Sequence, residues 1–304
     1  MISLGRCWLD LKRDLKRGWS ASYHDYQTKP LIEKWAWPYW NEVPMPVPVH
    51  VLTGVNDWQI CAWMLATWLT FTEQTWRIVI HDDGTLPTAA KKTLATIFKT
   101  ARFISRAESD PAMDKLLRPF PLCHDYRARH PLAQKIFDIP HFCDSDRFII
   151  LDSDLLFYRY PTEIMQWVTG NSNDCLFNED VAESSLLTAQ SAWEDLGVKL
   201  WPRVNSGLCL LQKSAIDLEF CERALGETSI LKGHIWRVEQ TLIALCASRH
   251  GRGGLLPKTY EVSLAKNASS DVIMRHYVGA VRNLLYSEGL AKLAPVLLSK
   301  EDRG

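Results

Sequence analysis

The chain has 304 residues, of which 47% are hydrophobic and 23% are charged. This composition supports a large buried core and excludes an intrinsically disordered protein. The 35 Lys and Arg residues balance 35 Asp and Glu residues, so the formal net charge is zero at pH 7, and we expect no nucleic-acid partner.

The cysteine pattern and the hydropathy pattern both predict a cytoplasmic protein. Eight cysteines are scattered singly, without a Cys-x-x-Cys pair, so we interpret them as reduced, buried side chains rather than as a zinc site or a disulfide framework. The longest nearly apolar run, residues 60–71, is too short to cross a bilayer. Charged side chains interrupt the first 14 residues, so no signal-peptide core is expected there.

The N-terminal region is rich in tryptophan and carries an amphipathic pattern. Within residues 2–19, apolar side chains recur at spacings of three and four, and basic residues fill the remaining positions, which is typical of a helix. One interpretation is a helix that packs on the main domain. The alternative is peripheral membrane contact through residues 2–19, with Trp and Leu at the headgroup boundary and the basic residues near anionic lipid.

Prolines at positions 44, 46 and 48 end this appendage, because they exclude a helix. We therefore expect an N-terminal helical appendage over residues 1–43 and one main domain over residues 44–304. The next elements in chain order are predicted strands over 47–52, 77–80 and 102–105, with helices over 58–70 and 88–100 between them. This alternation predicts an α/β fold with a mostly parallel, Rossmann-like sheet flanked by helices.

The second half of the domain continues this pattern after a loop-rich stretch that ends near residue 140. A strand over 147–151, with the sequence Arg-Phe-Ile-Ile-Leu, is predicted at the centre of the sheet. Further strands are predicted over 174–177 and 207–211, and helices over 214–225 and 239–248. The sequence contains no internal repeat.

Polar residues follow four of the apolar strands directly. Since ligands bind at the carboxyl ends of strands in an open α/β sheet, we expect these groups to converge on one edge. They are Thr53-Gly54, Asp82-Asp83-Gly84, Asp152-Ser153-Asp154 and Asn178-Glu179-Asp180.

Asp152 and Asp154 are the strongest candidates for a metal site. Two carboxylates one residue apart at a strand end offer hard oxygen ligands to Mg²⁺ or Mn²⁺. A second Asp-Ser-Asp, at residues 144–146, precedes the same strand and would lie roughly 20 Å away at about 3.3 Å per residue. We interpret that copy as a solvated turn.

Four motifs, in order and spacing, resemble nucleotide-sugar-dependent glycosyltransferases of the GT-A fold. The closest resemblance is to glycosyltransferase family 8, the glycogenin and bacterial lipooligosaccharide galactosyltransferase type, over residues 47–286. The first motif is an apolar strand that ends in Asp152-Ser153-Asp154, and the second is Val204-Asn205-Ser206-Gly207. The third is Glu239-Gln240, similar to the family's Asp-Gln. The fourth is His276 to Arg282, similar to His-x-x-Gly-x-x-Lys.

The resemblance implies a metal-dependent hexosyltransferase that uses a nucleoside-diphosphate sugar, with a UDP-sugar favoured and retention of anomeric configuration. The implied metal ligands are Asp152, Asp154 and His276, with Mn²⁺ or Mg²⁺ as the ion. The implied donor-binding residues are Thr53, Gly54, Asp57, Asp82, Asp83, Lys135, Ser153, Gly279 and Arg282. The implied catalytic residues beside the donor sugar and the acceptor are Gln240, Asp180 and Asn205.

The roles of several residues stay open at this point. Asp82 and Asp83 suit either a nucleoside contact or an ordinary turn, and Lys135 suits either the diphosphate or solvent. An inverting enzyme would need Asp180 or Glu179 as general base.

Three different classes of protein also stay open. A phosphatase of the haloacid dehalogenase type is disfavoured because Leu156 stands where Thr or Val is needed. A sugar nucleotidyltransferase usually carries a Gly-rich loop after its first strand, which this chain lacks at residues 53–57. A non-catalytic GT-A-like binding module is the third class. For a transferase, the acceptor is expected to be a glycan, a lipid-linked saccharide or a cell-envelope component.

Overall fold

Two β-sheets organise residues 14–37 and 43–299, the ranges that the computed structural model describes. The larger sheet has seven strands in the order β3-β2-β1-β4-β7-β6-β8, and the smaller has three in the order β5-β10-β9. The strands are β1 Val49–Thr53, β2 Ile78–Asp82, β3 Arg102–Ile104, β4 Arg147–Leu151, β5 Leu155–Phe157, β6 Cys175–Glu179, β7 Val204–Gln212, β8 Gly253–Leu255, β9 Tyr260–Val262 and β10 Met274–His276.

Strand direction decides which residues reach the functional edge of the larger sheet. β1 pairs in parallel with both β2 and β4, whereas β7 is antiparallel to its neighbours β4 and β6. Among the described strands of this sheet, β7 therefore runs against the others. Its amino end, at Val204 and Asn205, lies at the same edge as the carboxyl ends of β1, β2, β4 and β6.

Helices cover both faces of the larger sheet, which explains why its strands read as continuous apolar runs. Ile149 and Leu151 of β4 pack in one core with helix Trp58–Thr72, and Phe148 and Ile150 pack in the other core with helix Ile235–His250. The remaining α-helices are Trp19–Tyr23, Thr88–Ile97, Arg106–Leu116, Pro121–Arg129, Asp138–Phe142, Thr162–Thr169, Ala189–Leu196, Leu218–Glu227, Arg282–Leu284 and Ala291–Leu298. Shorter 3-10 and π-helical turns are Lys29–Lys34, Pro131–Lys135, Lys213–Ala215, Ile230–Lys232, Gly279–Val281, His24–Thr28 and Leu285–Leu290.

The predicted α/β architecture with a mostly parallel sheet is confirmed, and each predicted strand overlaps an observed one. The prediction of a loop-rich stretch up to residue 140 is wrong, because helices such as Arg106–Leu116 and Pro121–Arg129 occupy most of it. Prolines and charged residues hide the helical period there. A helix-start signal was nevertheless present, since the Ser105 hydroxyl accepts a hydrogen bond from the Glu108 amide at 3.3 Å, as an N-cap does.

Most of the amphipathic pattern at residues 2–19 lies outside the described residues. Residues 14–17 are helical, but Gly18 adopts φ 84° and separates them from helix Trp19–Tyr23. The prediction of one continuous helix through residue 19 is therefore wrong. The Arg17 guanidinium lies 4.7 Å from the centre of the Tyr286 ring, and Trp35 packs on Phe98. The described part of the appendage therefore contacts the main sheet's helical layer, while the division at residue 44 stays a prediction.

The seven cysteines within the described ranges are buried free thiols, which confirms the expectation for those residues, while Cys7 lies outside the described ranges. Within residues 14–37 and 43–299, no helix combines the length and the apolar character that a membrane span requires.

Candidate functional site

The site forms where β4 ends and its chain turns into β5. The Asp152 amide donates to the Gly207 carbonyl at 2.8 Å, and the Tyr277 amide donates to the Asp154 carbonyl at 2.9 Å. β10 pairs antiparallel with β5, so that His276 stands opposite Leu155. These backbone contacts bring His276 Nε2 to 3.1 Å from Asp154 Oδ1.

Asp152, Asp154 and His276 together could hold a divalent cation. One ligand atom from each residue lies within 4.8 Å of the others. Two carboxylates and one imidazole are a donor set that suits Mn²⁺ and Mg²⁺. The predicted metal ligands are therefore brought together by the fold.

Asn205 determines which imidazole nitrogen of His276 faces the carboxylates. Asn205 Oδ1 accepts a hydrogen bond from the Gly207 amide at 3.0 Å, and its Nδ2 donates to Asp180 Oδ2 at 3.1 Å. These contacts assign the orientation of the Asn205 amide. His276 Nδ1 lies 2.9 Å from Asn205 Oδ1, and it must donate the hydrogen bond because that oxygen only accepts. The neutral ring then presents the Nε2 lone pair to a cation, as a ligand imidazole with an outer hydrogen-bond partner does.

Gly207 is required by the position of the His276 ring. A Cβ at residue 207 would lie 2.3 Å from His276 Cε1 and 2.5 Å from Nδ1. Neither atom can move away without breaking the contact to Asn205. The glycine of the Asn-Ser-Gly motif therefore leaves room for a candidate metal ligand.

The Asp154 carboxyl group and the His276 imidazole shift each other's pKa values. Burial by itself lowers the pKa of His276, but the Asp154 carboxylate outweighs burial and leaves that pKa above its ordinary value. Burial by itself raises the pKa of Asp154, and His276 overcomes this effect and holds the pKa below its ordinary value. A bound cation would replace the imidazolium proton as the partner of the carboxylate.

Lys135 is fully buried behind the candidate metal-binding cluster, and its ammonium is surrounded by oxygen atoms. Nζ lies 2.9 Å from Asp152 Oδ1 and 3.2 Å from Glu239 Oε1, and it donates to the Ser206 carbonyl at 2.9 Å. Burial raises the pKa of Glu239 to about 7, although the Lys135 ammonium opposes that rise. Lys135 thus orients Asp152 and compensates a buried carboxylate, while its predicted contact to the diphosphate stays a prediction.

Arg282 approaches the cluster from the C-terminal segment. It donates to Asp57 Oδ1 at 2.7 Å, and its Nη1 lies 3.9 Å from Asp154 Oδ2. Burial raises the pKa of Asp57 in spite of the nearby Arg282 charge. The fold therefore puts the predicted phosphate-pairing arginine and the predicted nucleotide residue Asp57 side by side.

The predicted nucleotide residues at the ends of β1 and β2 form a tight turn. Asp82 Oδ1 accepts from the Gly84 amide at 2.7 Å, and Asp83 Oδ1 accepts from the Thr85 amide at 2.8 Å. A Cβ at Gly54 would lie 2.1 Å from an Asp83 oxygen. These contacts favour the turn interpretation for Asp82 and Asp83, and they explain the glycine after Thr53 by its closeness to Asp83.

The two Asp-Ser-Asp copies lie at opposite ends of β4. Asp144 pairs with the Arg77 guanidinium at 2.9 Å and is largely exposed, as expected for a solvated turn. Ser153 lies at the functional end, where its hydroxyl donates to the Leu52 carbonyl at 3.3 Å. Location in the sheet therefore distinguishes two copies that are identical in sequence.

A cavity of about 630 Å³ opens above the cluster. Its lining brings together nine residues from the sequence motifs: Lys135, Asp152, Asp154, Asp180, Asn205, Glu239, Gln240, His276 and Gly279. Gln240 Oε1 accepts from the Ser206 amide at 3.0 Å, and its Nε2 donates to Ser184. Asn178 is fully buried, and Glu179 pairs with Arg203 away from the floor.

The sequence motifs missed Ser184 and Trp236, which also line the cavity. Ser206 belongs to the Val-Asn-Ser-Gly motif and lines the cavity too, but no role was predicted for it. One feature of the sequence could have identified Trp236. It stands three and four residues before Glu239 and Gln240, the spacing that puts side chains on one helix face.

No protein-family model matches the chain, and no curated protein matches its sequence. The solved structures provide the relevant comparison. The galactosyltransferase LgtC, crystallised with donor and acceptor sugar analogues, is 14% identical, with a TM-score of 0.55 over 84% of this chain and 98% of LgtC. Mouse xyloside xylosyltransferase 1, in its apo form, is 10% identical, with a TM-score of 0.51 over 77% of this chain and 98% of its own.

The bifunctional glycosyltransferase WbbM is 12% identical, with a TM-score of 0.53 over 85% of this chain and 53% of WbbM. These likenesses define the class of fold: the chain shares the GT-A fold with these three glycosyltransferases.

Proposed function

We propose that this protein is a metal-dependent glycosyltransferase that moves a hexose from a nucleoside-diphosphate sugar, most favourably a UDP-sugar, to a saccharide-bearing acceptor. The observation that carries the proposal is the cluster of Asp152, Asp154 and His276 at the carboxyl edge of a GT-A sheet. Fold alone does not define an activity, so the proposal rests on the chemistry of this cluster.

Mn²⁺ or Mg²⁺ bound there would stabilise the negative charge that develops on the leaving nucleoside diphosphate. The chain's own groups support the same task. Arg282 lies within 3.9 Å of Asp154, where a guanidinium can pair with phosphate oxygens once it leaves Asp57. Thr53, Gly54 and Asp57 are our candidates for the nucleoside side of the donor, next to the turn at Asp82 and Asp83.

The donor sugar and the acceptor are assigned to the cavity above the cluster. Gln240 and Asn205 are candidates for contacts beside the reacting sugar, because both line that cavity. Asp180, which shares a hydrogen bond with Asn205, is the candidate contact for the acceptor hydroxyl. We propose retention of anomeric configuration, on the resemblance to glycosyltransferase family 8.

We further propose a cytoplasmic protein with peripheral contact to the membrane through its N-terminal segment. At the described end of that segment, Leu15 and Trp19 are largely exposed, and Tyr23 lies beside them in a shallow groove. Exposed Trp and Leu beside basic residues are typical of interfacial binding. We expect the Leu15→Asp/Trp19→Asp variant to lose binding to vesicles containing phosphatidylglycerol. A Trp193→Asp variant, with an exposed Trp elsewhere, should keep it.

The decisive experiment measures the melting temperature with UDP and GDP, in the presence and absence of Mn²⁺, together with hydrolysis of UDP-glucose and UDP-galactose. A ligand that binds the native state raises the melting temperature. We expect UDP to do so only with Mn²⁺, and the Asp152→Asn/Asp154→Asn variant to abolish the effect.

The chain supplies a matched control for that variant. Asp144→Asn/Asp146→Asn changes the same motif at the opposite end of β4, where Asp144 is exposed. This control should behave like the wild type. A wild type that shows neither a metal-dependent UDP shift nor hydrolysis would point instead to a non-catalytic GT-A-like module.

A further inference from the structure

Three exposed apolar side chains surround the mouth of the cavity above the metal cluster. Trp236 is 54% exposed, Val181 is 43% exposed and Leu264 is 55% exposed, and all three line the same cavity as Asp152 and Gln240. Exposed apolar groups gathered around a polar floor are typical of a ligand-binding site. This rim is separate from the cluster itself, because none of the three side chains offers a metal ligand.

Trp236 shares one helix face with two other residues that line the cavity. It lies in the first turn of helix Ile235–His250, and Glu239 and Gln240 follow three and four residues later. Side chains at these spacings are neighbours along a helix, about 6 Å apart along its axis. Glu239 is buried at the floor while Trp236 is open to solvent, so the helix runs from the cavity mouth to its base.

Neighbouring groups support the indole without burying it. The Arg237 guanidinium lies 5.5 Å from the centre of the Trp236 ring, and the His234 ring lies 6.0 Å away at an interplanar angle of 30°. Arg237 also donates to the Glu183 carbonyl at 3.3 Å, which ties the helix to the loop that carries Val181. A supported but accessible aromatic ring binds a ligand at low entropic cost.

We propose that Trp236 forms a platform for the acceptor, and that the acceptor is a saccharide whose ring lies on the indole between Val181 and Leu264. A sugar ring combines an apolar C–H face with a polar hydroxyl edge. Such a ring matches an aromatic rim above a floor of carboxylates and amides. Trp236 is assigned to the acceptor rather than to the donor sugar, because it lies one helical turn outside Gln240.

This inference rests on the proposed function, and its test separates the two. Binding of the full-length protein to an array of neutral oligosaccharides is measured in the presence of UDP and Mn²⁺. We expect the wild type to bind, Trp236→Ala to weaken binding to the best oligosaccharide about tenfold, and Trp236→Phe to lose less. Trp193→Ala is the matched control, since Trp193 is 63% exposed and does not line the cavity.

The UDP-dependent rise in melting temperature is measured on each variant, and it should be the same in Trp236→Ala as in the wild type. Three results would overturn the inference. They are absence of oligosaccharide binding by a wild type that still responds to UDP, unchanged binding by Trp236→Ala, and loss of the UDP response in Trp236→Ala. Absence of a UDP response in the wild type would instead contradict the proposed function itself.

Discussion

Asn205 Oδ1 lies 2.9 Å from Nδ1 of His276 and joins the amino end of β7 to β10, the central strand of the smaller sheet. Outer hydrogen-bond partners of a ligand imidazole typically affect metal affinity by about 10- to 100-fold. We expect Asn205→Ala to weaken Mn²⁺ binding by a factor in this range, measured by titration with electron paramagnetic resonance. Unchanged Mn²⁺ affinity in a folded variant would show that Asn205 does not position His276.

Gly207→Ala should have a similar effect for a steric reason. The new Cβ would lie 2.3 Å from His276 Cε1, so the imidazole must leave its position beside Asp154. We expect the variant to fold but to lose the metal-dependent response to UDP in a thermal-shift assay. Gly254→Ala is the matched control, because a Cβ on that strand glycine meets nothing within 4 Å. An equal loss in both variants would contradict this account.

Lys135→Met should destabilise the protein even without any ligand. The substitution removes the cation that lies between Asp152 and Glu239. Breaking one side of a buried ion pair costs about 3–5 kcal/mol, so we expect a loss of this order in urea unfolding. Adding Glu239→Gln to Lys135→Met should restore part of the loss, since the buried carboxylate is then gone. Additive effects of the two substitutions would argue against their coupling.

The buried histidine pair on β1 and β2 should make the protein less stable in mild acid. Burial, with help from nearby arginine charge, lowers the pKa of His81 to about 3 and holds the pKa of His50 well below its usual range. Both rings are therefore neutral in the native state. The unfolded chain binds their protons once the pH falls below about 6.5, so stability is present above this pH and declines toward pH 3.

For the two rings together, the loss between pH 6.5 and 5.5 amounts to about 2 kcal/mol. Urea unfolding at both pH values measures it. His50 Nδ1 and His81 Nε2 lie 3.0 Å apart, so replacing both rings leaves no single unpaired partner. The His50→Leu/His81→Leu variant should therefore show a smaller decline, and an unchanged decline would assign the acid sensitivity to other groups.

Local sequence patterns were enough to predict the central part of the sheet. β4 matches its predicted range, residues 147–151, because five residues with an apolar run between charged flanks specify a strand buried on both faces. The same local reasoning failed between residues 106 and 142, where the helices carry prolines and charges that weaken the apolar period. The helical stripe at residues 2–19 was likewise interrupted at Gly18, whose positive φ gives no signal in hydropathy.

Asp152 and Asp154 were predicted from their place at the end of a strand and His276 from a resemblance of motifs, whereas the meeting of the three depends on strand pairing. His276 reaches Asp154 because β10 pairs antiparallel with β5, and Asn205 reaches His276 because β7 runs against its neighbours. The sequence left two environments open for Lys135, the diphosphate and solvent. In the structure its ammonium is fully buried, and its hydrogen bond to the Ser206 carbonyl of β7 shows why this burial is tolerated.

The sequence by itself determined the local features of this protein: buried strands, polar residues where they end, and the residue types able to bind a divalent cation. Tertiary structure alone decided which imidazole nitrogen of His276 is available and that Trp236 stands at the rim of the cavity. The physical reason is the distance along the chain over which each effect acts. Strand propensity and hydropathy act between near neighbours in the chain, whereas a binding site requires atoms from distant segments to approach within about 3 Å.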